Sequence, residues 1–177
     1  MKNLWLSERM ISSCFWDALY SSFFYEEAKN DSFLISEVTS PLVKSFPAEA
    51  GSVPLDTSIS IWLLARYFSP SSVAEIGTYV GRSTLAMSFG ALNSMESIYT
   101  CDGTFDCMKF SPLKEKFENA KKKKAFEKIQ YFGKTMSTDM LKILIEKNIK
   151  VDLMFVDGRL ADNDLPLMKE IVTPDCV

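Results

Sequence analysis

The sequence predicts an α/β fold, a doubly wound parallel sheet preceded by a helical N-terminal extension, and three observations carry that prediction. Short apolar runs that read as strands, at 73–76, 98–102, 128–132 and 151–157, alternate with stretches of helical spacing at 83–92, 112–123, 138–147 and 163–172. Such alternation argues a parallel sheet covered by helices on both faces, and right-handed crossovers make it doubly wound. The run Gly77-Thr78-Tyr79-Val80-Gly81 is a tight glycine turn joining the first strand to the first of these helices. Of only seven glycines, Gly77, Gly103, Gly133 and Gly158 directly follow the four strands. That carboxyl edge is where open parallel sheets take their ligands.

In chain order, the first element is a helix over 11–23. Ile11, Cys14, Phe15, Ala18, Leu19 and Phe23 fall on one stripe, and Trp16, Tyr20 and Phe24 on a second. A helix buried on two sides either packs wholly within its own monomer or also meets a partner, a second copy of the chain included. From 30 to 56 the periodicity weakens and Pro41, Pro47, Gly51 and Pro54 interrupt it, predicting an irregular connection with a short helix at most. Residues 58–68 carry a helical stripe of Ile61, Leu64, Ala65 and Phe68, ended by Pro70 and placed to pack beside the strand from Val73. Residues 1–56 therefore read as the extension and 57–177 as the sheet domain. Within that domain Ser111-Pro112 marks the start of the second helix, whose last turn holds Lys121 to Lys124, a solvated run complementing the helix dipole. Asp162 to Asp164 with Pro166 marks the start of the last helix.

Composition narrows the class. At 177 residues, 47% hydrophobic and 24% charged with a formal net charge of −3, the chain offers no electrostatic case for nucleic acid. No apolar run approaches the roughly 20 residues of a membrane helix. The four cysteines form no C-x-x-C pair and no signal-peptide pattern opens the chain, so the cytoplasm is the expected compartment. There is no histidine, which excludes imidazole bases, Ser-His and Cys-His pairs and His-ligated zinc.

The glycine turn selects among ligands. A helix beginning near Gly81 presents unpaired N–H groups and its positive dipole end to whatever lies over the loop, favouring a carboxylate or phosphate. A G-x-G-x-x-G dinucleotide fingerprint needs glycine at 79 and 82, where the chain has Tyr79 and Arg82. A phosphate-binding P-loop needs four residues between its glycines and then Lys-Ser/Thr, but here three residues are followed by Arg82-Ser83. About 20 residues past the turn, Asp102 ends the neighbouring strand, where a carboxylate accepts hydrogen bonds from both ribose hydroxyls of a nucleoside.

The pattern acidic-x-Gly-x-x-x-Gly-x-Ser, Glu75 to Ser83, resembles motif I of the class I S-adenosylmethionine-dependent methyltransferases. It is most similar to the catechol and caffeoyl-CoA O-methyltransferase branch and the bacterial enzymes near it. The resemblance, which covers about 55–177, implies that Glu75 orients the methionine amino group of S-adenosylmethionine. It implies that Ser83 and the backbone of Gly77, Thr78, Tyr79 and Gly81 hold the methionine carboxylate, and that Asp102 binds the ribose. Gly103 then adjoins the ribose, and Thr104-Phe105 lies against the adenine. Asp157, at the end of Val151-Asp152-Leu153-Met154-Phe155-Val156-Asp157, matches the family aspartate that ligates a divalent cation such as Mg, which also holds the acceptor oxygens.

The chain also departs from the family. Gly133-Lys134 stands where relatives often have Gly-Asp, leaving Ser137 and Asp139 as substitutes near the adenine, and Leu160 stands where they often have histidine. The companion Asp and Asn metal ligands belong to a strand that should begin about where the sequence ends, at Asp175-Cys176-Val177. The reading is an S-adenosylmethionine-dependent methyltransferase acting on an oxygen of a small-molecule acceptor, by in-line displacement with a carboxylate or metal-bound water as base. A non-catalytic nucleoside-binding or interaction module is the alternative. With the C-terminal strands expected missing, the outer edge of the fourth strand is left unpaired and must be covered by those strands, by the N-terminal helix with its second aromatic face or by a second copy, and turnover should be negligible.

Overall fold

The computed structural model describes residues 13–44, 52–104, 110–117 and 120–177. The four predicted strands form one parallel sheet: β1 (Ser72–Ile76), β2 (Ser97–Asp102), β3 (Ile129–Gly133) and β4 (Leu153–Val156), in the order β3-β2-β1-β4. The chain steps outward from β1 to β3 and then returns to the far side of β1. The strand order therefore reverses between β1 and β4, the place where sheets of this kind open a crevice at their carboxyl ends.

Helices α1 (Ser13–Tyr20), α2 (Tyr25–Val43), α3 (Leu55–Phe68), α4 (Arg82–Gly90), α5 (Phe110–Lys114) and α6 (Ala120–Glu127) belong to one face, and α7 (Ser137–Glu146) and α8 (Asp164–Ile171) to the other. An apolar core lies on each face. One gathers Ile35, Trp62, Leu63, Leu85, Phe89 and Phe117 with Val73 and Ile98 of the sheet; the other gathers Met140, Leu141, Leu144 and Ile171 with Ala74, Ile76 and Cys101. Alternation along a strand sends Val73 and Ala74 to opposite faces, so Glu75 lies on the side of Val73, beneath α4, rather than pointing along the strand into the crevice.

The structure corrects the sequence reading at four places. Where an irregular connection is expected after residue 30, α2 runs unbroken to Val43 with Pro41 inside it. Its buried stripe, Ala28, Asp31, Ser32, Ile35 and Thr39, has helical spacing but is mostly small or polar, so hydrophobic periodicity does not register it. Pro47 and Gly51 lie outside the described residues. The helix expected over 112–123 is two pieces, α5 and α6. Lys122 and Lys123 consequently sit in the first half of a helix, where the dipole opposes them, while Lys124 keeps the last-turn place expected of the run. Lys122 is held instead by a buried ion pair with Asp31, which also accepts the indole N–H of Trp62 at 3.1 Å.

Of the two-sided first helix, Ile11 lies outside the described residues, Leu19 is buried and Ala18 is exposed. Phe23, in the turn after α1, is 95% exposed and belongs to no core stripe. The second stripe packs within the chain: Trp16, Tyr20 and Phe24 rest against the first core, and Tyr20 shares a 2.6 Å hydrogen bond with Ser60. The outer edge of β4 is not bare either. Val177 donates to the Asp152 carbonyl at 3.0 Å and accepts from Met154 N–H at 2.9 Å, and Val172 bridges Val151 in parallel. The final residues thus lie along the start of β4, and Val156, past them, is exposed.

Candidate functional site

Where β1 and β4 part, two glycines touch. A Cβ on Gly77 would fall 2.6 Å from the Gly158 nitrogen, and Gly77 has φ 105°. The Ile76 carbonyl accepts the N–H groups of both Asp157 (2.9 Å) and Gly158 (2.7 Å). These two glycines therefore serve close approach of backbone to backbone at the base of the crevice.

Above this base the chain turns through Thr78, Tyr79 and Val80 into α4. Gly81, φ 75°, precedes the helix, and Tyr79 is also left-handed at φ 45°. That conformation costs a non-glycine residue roughly 1–2 kcal/mol. Asp102, at the tip of β2, offsets it by accepting the Tyr79 N–H at 2.9 Å through Oδ2, while Oδ1 accepts the Thr104 N–H at 3.0 Å. Two backbone amides, one on each oxygen, fix the plane of the carboxylate. Asp102 is 8% exposed, and Gly103 beside it is exposed.

Glu75 is wholly buried. Oε1 accepts the Ser83 hydroxyl at 2.5 Å, and Oε2 accepts those of Thr84 (2.5 Å) and Thr100 (2.6 Å). Thr100 has spent its proton on Glu75, so Thr78 donates to Thr100 in turn, at 2.5 Å. Burial pushes the Glu75 carboxyl up to about 7, against the three hydroxyls that favour its charged form; nearby Asp157 pushes the same way as burial. Where the sequence suggests direct contacts with a ligand for Glu75 and Ser83, the structure joins the two side chains to each other under the turn.

Asp157 is exposed at the mouth of the crevice, and partial burial raises its pKa. It lines a small space with Ser52, Val53, Gly77, Thr78, Tyr79, Val80, Arg82 and Ser83. The space holds about 10 Å³, the room of one water, so a nucleoside seated here displaces part of its lining. Ser137, at the start of α7, donates to Asp164 at 2.5 Å, as does Thr138, tying α7 to α8. Asp139 is exposed.

Among the described residues no group of three or more His, Cys, Asp or Glu side chains comes together to hold a metal ion. The donor set for the cation expected at Asp157 does not form among them. Sequence reasoning did not single out Thr84, Thr100, Arg82 or Asp164. The pairing of Glu75 with Thr100 across β1 and β2 becomes visible only with the strand register in hand. Arg82 carried no signal beyond a failed glycine match.

No protein-family model matches the sequence, and a search of curated proteins finds no match. Solved structures do match. An O-methyltransferase from Bacillus cereus in complex with S-adenosylhomocysteine (SAH) superposes with TM-score 0.62 at 17% identity, over 79% of this chain and 61% of that one. TomG from Streptomyces achromogenes, an O-methyltransferase of tomaymycin synthesis in complex with S-adenosylmethionine, gives 0.63 at 18%, over 79% and 60%. The SAH-bound Podospora anserina methyltransferase PaMTH1 gives 0.59 at 21%, over 81% and 59%. At these identities the likeness establishes the fold, the Rossmann-like fold of class I O-methyltransferases. The chain spans about three fifths of the length of these structures.

Proposed function

We propose that this chain binds S-adenosylmethionine at the carboxyl edge of its sheet and serves methyl transfer to an oxygen of a small-molecule acceptor. The observation that carries the reading is Asp102. It sits at the tip of the strand beside the switch point, and the backbone of the turn where the α4 N-terminus begins fixes its plane. A carboxylate so placed accepts a pair of ribose hydroxyls, and the amides opening α4 receive a carboxylate. The Bacillus, Streptomyces and Podospora neighbours, solved with SAH or S-adenosylmethionine, support the same ligand class. Residues 57–177 would form the cofactor domain and residues 1–56 its helical extension.

When bound, the cofactor supplies a sulfonium methyl group open to in-line displacement. The chain's own contribution is alignment. Asp102 and the α4 turn orient the nucleoside and amino-acid ends, and Glu75 acts on that turn through Ser83 and Thr84. Asp157, at the mouth and with its pKa raised by partial burial, would serve as the carboxylate that takes the acceptor's hydroxyl proton. Thermal melts test the ligand class: SAH at 100 times its Kd should stabilise the fold by about 2.7 kcal/mol, and NAD should leave it unmoved. Stabilisation by NAD without a response to SAH would overturn the reading.

A further inference from the structure

We infer that Arg82 is a positioning residue that ties the first turn of α4 to α2, so that binding at the cofactor turn and the seating of α2 are coupled. The inference rests on the proposed function for what is bound, and not for the coupling itself. Arg82 opens α4 directly after Gly81, so its backbone belongs to the helix end that faces the crevice. Its side chain runs back to α2. Nε donates to Thr39 Oγ1 at 2.7 Å and Nη2 to Ser40 Oγ at 2.9 Å, with longer contacts from Nη2 to the Ser36 carbonyl (3.5 Å) and from Nη1 to the Val53 carbonyl (3.4 Å).

The acceptors are themselves fixed. Thr39, fully buried, donates to the Ile35 carbonyl at 2.7 Å, and Ser40 donates to the Ser36 carbonyl at 2.6 Å. Pro41 follows immediately and withholds the N–H that would bond the Glu37 carbonyl, so the clamp grips α2 where its own ladder is weakest. The hydrogen-bond partners of Arg82 among the described residues are hydroxyls and carbonyls, with no carboxylate, and burial pushes the guanidinium pKa down. A half-buried cation hydrogen-bonded to neutral acceptors gains less than one paired with a carboxylate. Its planar fork, however, reaches two segments at once. Arg82, Tyr79 and Ser83 line one small space with Ser52 and Val53, so the turn, the segment before α3 and, through the clamp, α2 move together.

The test uses the full chain as wild type, Arg82→Ala, Arg82→Lys and Trp62→Phe, the last removing the Asp31 hydrogen bond that seats α2 elsewhere. Hydrogen exchange is followed over 36–43 and 78–84, and SAH affinity is measured by calorimetry. Arg82→Ala should speed exchange in both segments and weaken SAH about tenfold; Arg82→Lys should recover part of both losses. Trp62→Phe, which loosens α2 about two turns from the intact clamp, should lower the melting temperature and weaken SAH clearly less than Arg82→Ala does. Faster exchange confined to α2, or equal affinity losses in Arg82→Ala and Trp62→Phe, would overturn the inference. If Arg82→Ala does not fold, the lysine variant carries the same comparison. A folded wild type that ignores SAH refutes the cofactor reading, and the joint exchange response still decides the coupling.

Discussion

Replacing Glu75 by glutamine should flatten the pH dependence of stability between about pH 5 and pH 8. The chain has no histidine, and Glu75 is a buried carboxyl raised from 4.5 to about 7. Between 4.5 and about 7 the folded state keeps a proton that the unfolded chain has released, so folding stability falls as pH rises. The contribution is present in full below 4.5 and is lost as pH climbs through about 7. The gap between 4.5 and about 7 corresponds to roughly 3 kcal/mol. At about 2–4 °C per kcal/mol for a chain of this size, that is roughly 10 °C in melting temperature. Other shifted groups act mainly elsewhere: Asp152 and Asp164 are lowered by their hydroxyl and amide donors and matter in acid, and the Cys101 thiol is pushed up to about 12. Asp157, raised but exposed, adds a smaller term of the same sign. Thermal or urea unfolding of wild type and Glu75→Gln at pH 5, 6, 7 and 8 reads this directly. A wild type whose stability is level or rises with pH, or a variant that keeps the wild-type slope, would refute the reasoning.

Two further expectations concern the frame around the site. Gly77→Ala should cost about 3 kcal/mol or more and Gly158→Ala about 1 kcal/mol, measured by urea unfolding. The first places a Cβ 2.6 Å from backbone nitrogen at φ 105°, whereas the second meets nothing closer than the Ile76 carbonyl at 3.1 Å. Asp31→Asn should cost about 2 kcal/mol, because it leaves Lys122 without its buried counter-charge between α2 and α6. A loss below about 0.5 kcal/mol would place that ion pair with ordinary surface pairs.

The sheet was legible because its signals are local. Each of the four strands is a short apolar run closed by a turn, and the predicted spans agree with the observed ones apart from β4, which is shorter. The positions of Asp102 and the α4 turn followed from spacing alone. What spacing does not reveal is direction. Glu75 reads as ligand-facing from the motif, yet pleat parity turns it beneath α4, where Ser83, Thr84 and Thr100 converge on it. The length of α2 was hidden because its buried face includes Asp31 and Thr39, whose partners Trp62, Lys122 and Arg82 lie far away in sequence. The bond from Ser137 to Asp164 was hidden for the same reason, since its acceptor comes from another helix.

The most direct test of the central claim, that the carboxyl edge between β1 and β2 holds an adenosyl ligand, is calorimetric titration of SAH into wild type and Asp102→Ala. The wild type should bind, and the variant should bind about tenfold to a hundredfold more weakly, the loss of a paired, charge-assisted contact to two hydroxyls. Equal affinities for SAH in the two proteins would contradict the claim.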